Sequence, residues 1–245
     1  MKKTNLLFAA SLLGIMSLGQ AMNVFAADYD GATKATTEGS VTIGAPDPDQ
    51  PEIVDPENPE KPIEPPTPPN PNPGDLKINF VADFDFGDIE HTNLAINQNA
   101  QLIDVRVDGQ TEKRVPFISI EDRRGLARQG WELRASQPSQ FINEDGKELD
   151  GAEISIQNMH YANTNNTPQI PNSRVVLNSS EQVISTANAT QGAGTWSLAL
   201  GSPHGDSTTD GVSLHIPANT IKSDKTYSTS IVWELVADPG ATPTP

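Results

Sequence analysis

The sequence predicts an all-β protein: a single β-sandwich or barrel-like domain of about ten short strands, preceded by a disordered Pro-rich spacer. Three observations support this. Between residues 76 and 236 the chain repeatedly shows period-two alternation or β-branched runs four to ten residues long. Asp-Gly dipeptides suited to tight reversals interrupt them at Asp108-Gly109, Asp145-Gly146, Asp150-Gly151 and Asp210-Gly211. No window of twelve or more residues carries a helical apolar stripe with caps.

In chain order, Lys2 and Lys3 precede an apolar stretch from Leu6 to Val24, and Val24-Phe-Ala26 satisfies the small-residue cleavage rule. Residues 1–26 therefore read as a secretory signal peptide cut after Ala26, too short in its apolar core to serve as a transmembrane anchor. Residues 27–44 form a polar segment rich in Thr, Ala and Gly. Residues 45–74 hold twelve prolines and seven carboxylates against the lone Lys61. Proline fixes φ and removes donors while like charges repel, so this acidic linker is expected to extend as polyproline II without a fold of its own. Residues 75–239 form the folded domain, with strands expected at 76–80, 102–107, 115–120, 131–135, 152–157, 174–177, 182–186, 195–200, 212–216 and 227–236. Residues 240–245 are a short tail. No Leu-Pro-x-Thr-Gly signal, lipobox cysteine or stop-transfer segment is read, so covalent or lipid anchoring is not expected.

All three tryptophans sit in the same pattern: Trp131-Glu-Leu133, Trp196-Ser-Leu198 and Trp233-Glu-Leu235. In a strand each Trp shares a face with its Leu. In the last strand Tyr227, Thr229, Ile231, Trp233 and Leu235 line one face, and Pro239 stops it. Core anchors and exposed stacking or interface residues both fit this pattern. Trp131 and Trp233 are expected to belong to one connected β core.

The C-terminal stretch reads Tyr-x-x-x-Ile-x-Trp-x-Leu-x-x-x-Pro. Together with Trp131-Glu-Leu133, about one hundred residues upstream, it resembles the WxL domain of Gram-positive bacterial surface proteins. Asp122-Arg-Arg-Gly125 ahead of Gly130-Trp131, Phe84-Asp-Phe-Gly87 and Leu214-His-Ile-Pro217 match as well. Val232 stands where the family often has Thr, a conservative change in a strand. The resemblance covers roughly residues 75–239. It implies a small WxL protein retained non-covalently at the cell wall by binding peptidoglycan, in company with other WxL proteins and WxL-interacting proteins. The rival implication is a subunit of such a surface complex, or an adhesin for host matrix.

Charge and composition narrow the chemistry independently. Without Lys2 and Lys3 the chain keeps 14 basic against 32 acidic residues, a net charge of −18. No basic face remains for phosphates, which excludes nucleic acid as a partner and disfavours anionic wall polymers. Wall binding must then rest on local contacts to glycan or peptide, or on a protein partner. The absence of cysteine rules out thiolate metal sites and thiol catalysis. Asp83, Asp85 and Asp88, and the group Glu144, Asp145, Glu148 and Asp150, depart from the calcium-loop pattern and read as solvated turn residues. His91, His160, His204 and His215 are dispersed, and Ser202-Pro-His204 lacks a nucleophile elbow. The sequence thus predicts no enzyme, no cofactor and no metal.

Overall fold

A computed structural model describes residues 28–29, 32–36, 39–42 and 53–239. The signal peptide and the tail therefore lie outside the described residues. The chain divides into two compact units, residues 1–46 and 47–245. In the first, β1 (Asp28–Tyr29) and β2 (Ala35–Thr36) pair antiparallel.

The second unit is all-β, as its alternation predicts. Its strands are β3 (Leu76–Val81), β4 (Ile96–Gln101), β5 (Ile103–Val107), β6 (Gln110–Arg114), β7 (Phe117–Asp122), β8 (Gly130–Ser136) and β9 (Ile142–Asn143). There follow β10 (Glu153–Gln157), β11 (Met159–His160), β12 (Arg174–Val176), β13 (Gln182–Asn188) and β14 (Gly194–Leu200). The chain ends with β15 (Pro203–His204), β16 (Thr208–Ile216), β17 (Tyr227–Ser228) and β18 (Val232–Ala237). Every pairing among them is antiparallel. One sheet runs β12-β10-β16-β15, with β4 also on β16; a second runs β11-β14-β7-β3; a third runs β13-β8-β18. The hairpins β5-β6 and β17-β9 complete the set. All three larger sheets turn apolar residues into one core, among them Ile120, Leu133, Ile156, Leu198 and Leu214. Burial of that contiguous apolar area is the main force holding a cysteine-free domain together.

Three departures from the sequence reading have identifiable causes. Strands β4 and β6, Ile-Asn-Gln-Asn-Ala-Gln and Gln-Thr-Glu-Lys-Arg, escape the alternation pattern because β4 sends only Ile96 and Ala100 into the core and β6 is exposed along nearly its whole length. Asp210-Gly211, expected as a turn, lies inside β16. A Cβ at Gly211 would sit 2.2 Å from the Leu200 carbonyl, so glycine there permits a close strand approach. The expected long strand over 227–236 is two strands, because its partner changes from β9 to β8 while residues 137–141 swing away.

The largest correction concerns the Pro-rich linker. From residue 53 onward it is packed against the domain. Ile53 and Ile63 are buried with Phe80, Val105, Val107 and Phe117 in a second core. This core lies on the opposite face of β7 from the first, which is why all six β7 residues are buried. Ile63 N–H donates to the Ile53 carbonyl at 2.8 Å, and Glu64 exchanges two bonds of 2.9 Å with Arg106. Ser197 Oγ donates to the Val54 carbonyl at 2.5 Å. Asp55, 1% exposed, accepts from Arg114 Nε at 2.9 Å and Nη2 at 2.7 Å. Two isoleucines ten residues apart, in a segment otherwise unable to pack, suffice because the sheet beneath has an apolar outer face that needs a cover.

Burial alone raises the Asp55 carboxyl, but the Arg114 hydrogen bonds, the Glu57 N–H and the guanidinium charge outweigh it and hold the group below its ordinary value. A depressed folded pKa contributes stability that is complete above the unfolded value of ~3.9 and lost as pH falls through the folded one. Asp55→Asn is expected to lower stability at neutral pH by about 2 kcal/mol, since Arg114 loses its buried counter-charge and keeps only the more exposed Glu112 and Glu57. Urea unfolding of both proteins between neutral and strongly acid pH should show the gap closing towards the acid end.

Candidate functional site

The two outer Trp-x-Leu motifs meet. Strands β8 and β18 pair so that Leu133 lies opposite Leu235, Trp131 opposite Ala237 and Trp233 opposite Ala135. Directly opposed residues in an antiparallel pair share a face, so both motifs point into the same layer. Trp131 and Leu133 are fully buried. Leu235, Trp233, Ile231 and Tyr227 are half-buried and pack against the same core from the sheet's edge. Trp196, with Leu198 fully buried behind it, reaches that core from β14.

One turn satisfies two indoles. Trp131 Nε1 donates to the Gly192 carbonyl at 3.1 Å, and Trp196 Nε1 to the Ala193 carbonyl at 2.9 Å. Trp196 also meets Tyr161 edge-to-face at 5.6 Å, and the Tyr161 hydroxyl shares a 2.8 Å hydrogen bond with Ser185. Gly192 has a φ of +67°, and a Cβ there would lie 2.8 Å from Trp131 Nε1 and 2.6 Å from the Ala187 Cβ. The sequence reading did not single out this turn, because a Gln-Gly-Ala loop carries no local mark of what it caps.

The Asp122-Arg-Arg-Gly125 motif is a clamp. Arg124 makes two 2.9 Å bonds to Asp122, one of 2.7 Å to Asp238 and one of 2.7 Å to the Gly130 carbonyl. Asp238 also accepts from the Gln129 N–H, and its own N–H donates to the Gly130 carbonyl. The ends of β7 and β18 and the start of β8 are thereby joined at one guanidinium. Its hydrogen bonds to Asp122 above all raise the Arg124 pKa. Pro239, exposed, follows directly and prevents the strand from continuing.

On the other side of Trp233 lies a groove of about 1140 Å³. One wall is the extended stretch 81–91, the other is residues 222–231 with Trp233. The floor is apolar, formed by Phe86, Ile96, Phe141, Leu149, Ile154 and Ile216. Trp233 stands edge-on to Phe84 at 6.4 Å, and Phe86 to Phe141 at the same distance. Tyr227 lines the groove while its hydroxyl bonds to the Ser223 hydroxyl at 3.1 Å and accepts from the Ser223 N–H at 3.0 Å, which together lower its pKa. Phe84-Asp-Phe-Gly87, the Leu214 and Ile216 side chains of Leu214-His-Ile-Pro217, and the Tyr227-Ile231-Trp233 face therefore converge here. Trp131 and Trp196 do not: they are core. Among the described residues no group of His, Asp and Glu is placed to hold a metal ion.

The chain matches the family model described as "WxL domain surface cell wall-binding" over residues 30–239. It belongs to the WxL family. The match begins 45 residues before the domain start expected at residue 75, in line with a Pro-rich segment that packs as part of the fold. No curated protein and no solved structure matches the chain. Membership in a surface, cell wall-binding family assigns this WxL chain to the cell surface. No helix among its described residues is long and apolar enough to cross a membrane.

Two substitutions separate the buried parts of the motif from the rest. Trp131→Ala is expected to cost about 3–5 kcal/mol, the range for emptying a buried aromatic site. Arg124→Ala should cost about 3 kcal/mol by leaving the buried Asp122 unpaired. Chemical denaturation of both variants checks these figures, and a near-native midpoint for either would contradict the core and clamp described.

Proposed function

We propose that this WxL protein is held at the cell wall by non-covalent binding to peptidoglycan, and that the groove beside Trp233 is its contact surface. The observation that carries this is the convergence, on one open cleft, of the half-exposed members of the family motif. Trp233, Phe84 and Tyr227 offer large, rigid apolar surface with little rotamer entropy to lose on binding. A concave cleft with an apolar floor and polar groups along its walls is a form that ligand sites take.

The family's description as cell wall-binding supports binding as the chemistry of this cleft. A protein partner, whether a WxL-interacting protein or a host matrix component, is the competing occupant. The strongly acidic surface accounts for specificity within the wall, since anionic polymers are repelled while neutral or cationic elements are not.

Trp233→Ala is expected to lower stability by only about 1–2 kcal/mol, because the indole is half-exposed, and to abolish retention on purified peptidoglycan. Sedimentation with insoluble peptidoglycan, run beside thermal unfolding, decides this. A variant that still sediments like the parent would remove the groove from wall binding.

A further inference from the structure

The groove has a feature that aromatic stacking does not use: each wall includes a short run of backbone without partners. Along residues 83–92, only the Asp85 carbonyl and the Gly87 N–H are hydrogen-bonded among the described residues, the first to Gln101 N–H at 2.7 Å and the second to Asp85 Oδ1 at 2.7 Å. Yet from Ala82 to Phe86 the stretch alternates as a strand does, with Ala82, Phe84 and Phe86 turned inward and Asp83 and Asp85 towards solvent, until Gly87 turns the chain at a φ of +67°. On the facing wall, Thr229, Ser230 and Ile231 make no backbone hydrogen bond, and β18 is paired with β8 alone. Two unpaired, strand-like edges facing each other across an apolar floor form a slot for an extended peptide, which supplies alternating N–H and C=O groups to both sides.

Charge narrows the occupant. Asp83, Asp85, Asp88 and Glu90 on one wall, and Asp224 on the other, have no cationic partner among the described residues. Of the two lysines lining the groove, Lys225 is held by Glu144 at 2.7 Å and Asp145 at 2.8 Å. Lys222 turns its ammonium to the Thr220 carbonyl at 3.2 Å. The slot is therefore anionic and complements a cation. A neutral sugar chain leaves these carboxylates unmatched and the backbone groups largely unused.

We infer that the groove takes the peptide arm of peptidoglycan, in extended form, with the free ammonium of its diamino residue against the Asp83–Glu90 wall. The inference rests on the wall-binding reading above and specifies which part of the polymer is held. Backbone pairing supplies most of the contact, the apolar floor receives the short alanine-type side chains, and the carboxylates select for an amine that has not been cross-linked.

The test uses the full chain and three preparations of insoluble peptidoglycan: intact, stripped of peptides by an amidase, and intact with its free amines acetylated. The expected result is retention on the first and at least a tenfold loss on the other two, the size of effect a lost charge-assisted contact gives. The double variant Asp83→Asn/Asp88→Asn, both positions exposed and outside any ladder, should lose about tenfold on the intact polymer with an unchanged unfolding midpoint. Equal retention on the stripped polymer identifies the glycan as ligand and overturns the inference while wall binding stands. Equal retention on the acetylated polymer overturns the role given to the ammonium. Absence of retention on the intact polymer overturns both this inference and the reading it rests on.

Discussion

The pairing of Leu133 with Leu235 sets the register on which the remainder of the domain depends. Because directly opposed side chains share a face, that one pairing places Trp131 under the Gly192 turn and Trp233 at the rim of the groove. A slip of β18 by one residue would turn Trp233 and Leu235 outward and Glu234 inward. The register is held at one end of the ladder, where the buried indole N–H near the start of β8 and the Arg124 clamp at the end of β18 lie side by side. The two copies of the motif thus have different duties. The first is fully interior, and the second, at the edge of the sheet, is only half covered and so is available to a ligand.

Much of this was legible in the sequence, and the parts that were not share a cause. Period-two alternation located the central strands and kept the inward set Tyr227, Thr229, Ile231, Trp233 and Leu235 correct even where the strand is broken. Alternation reports one-sided burial, so it is silent for β6, which has little core to face, and blurred for β7, which is buried on both sides. The Pro-rich stretch was misread for a related reason. Composition describes what a segment contributes on average, and Ile53, Ile63 and Asp55 are too few to alter an average, though they are the residues that bind it to the sheet. The groove was half legible. Its motif segments were visible in the sequence, but their convergence depends on pairings more than one hundred residues apart, and the vacant backbone edges have no sequence signature.

The distribution of charge follows from the same geometry. Most cations of the folded unit are committed to ion pairs within the chain, from the nearly buried Arg114 with Asp55 and Arg124 with Asp122 to the exposed Lys61 with Asp108 and Lys113 with Asp104. The excess carboxylates are left on the surface and along the groove. The field outside the protein is consequently negative almost everywhere, while the interior bridges are balanced. A surface of this kind stays dissolved and discriminates among polymers before any contact forms.

The packed Pro-rich segment also changes how the domain bears tension. For a tethered surface protein, a pull applied upstream of residue 53 does not reach β3 directly. It arrives first at Ile53 and Asp55, where two buried isoleucines, the Arg114 fork and the Glu64–Arg106 bonds must yield before Leu76 feels the load. The prolines between them transmit force stiffly rather than stretching, since their φ angles cannot relax. The segment's contacts thus stand in series with the sheet and open before load on that side reaches β3.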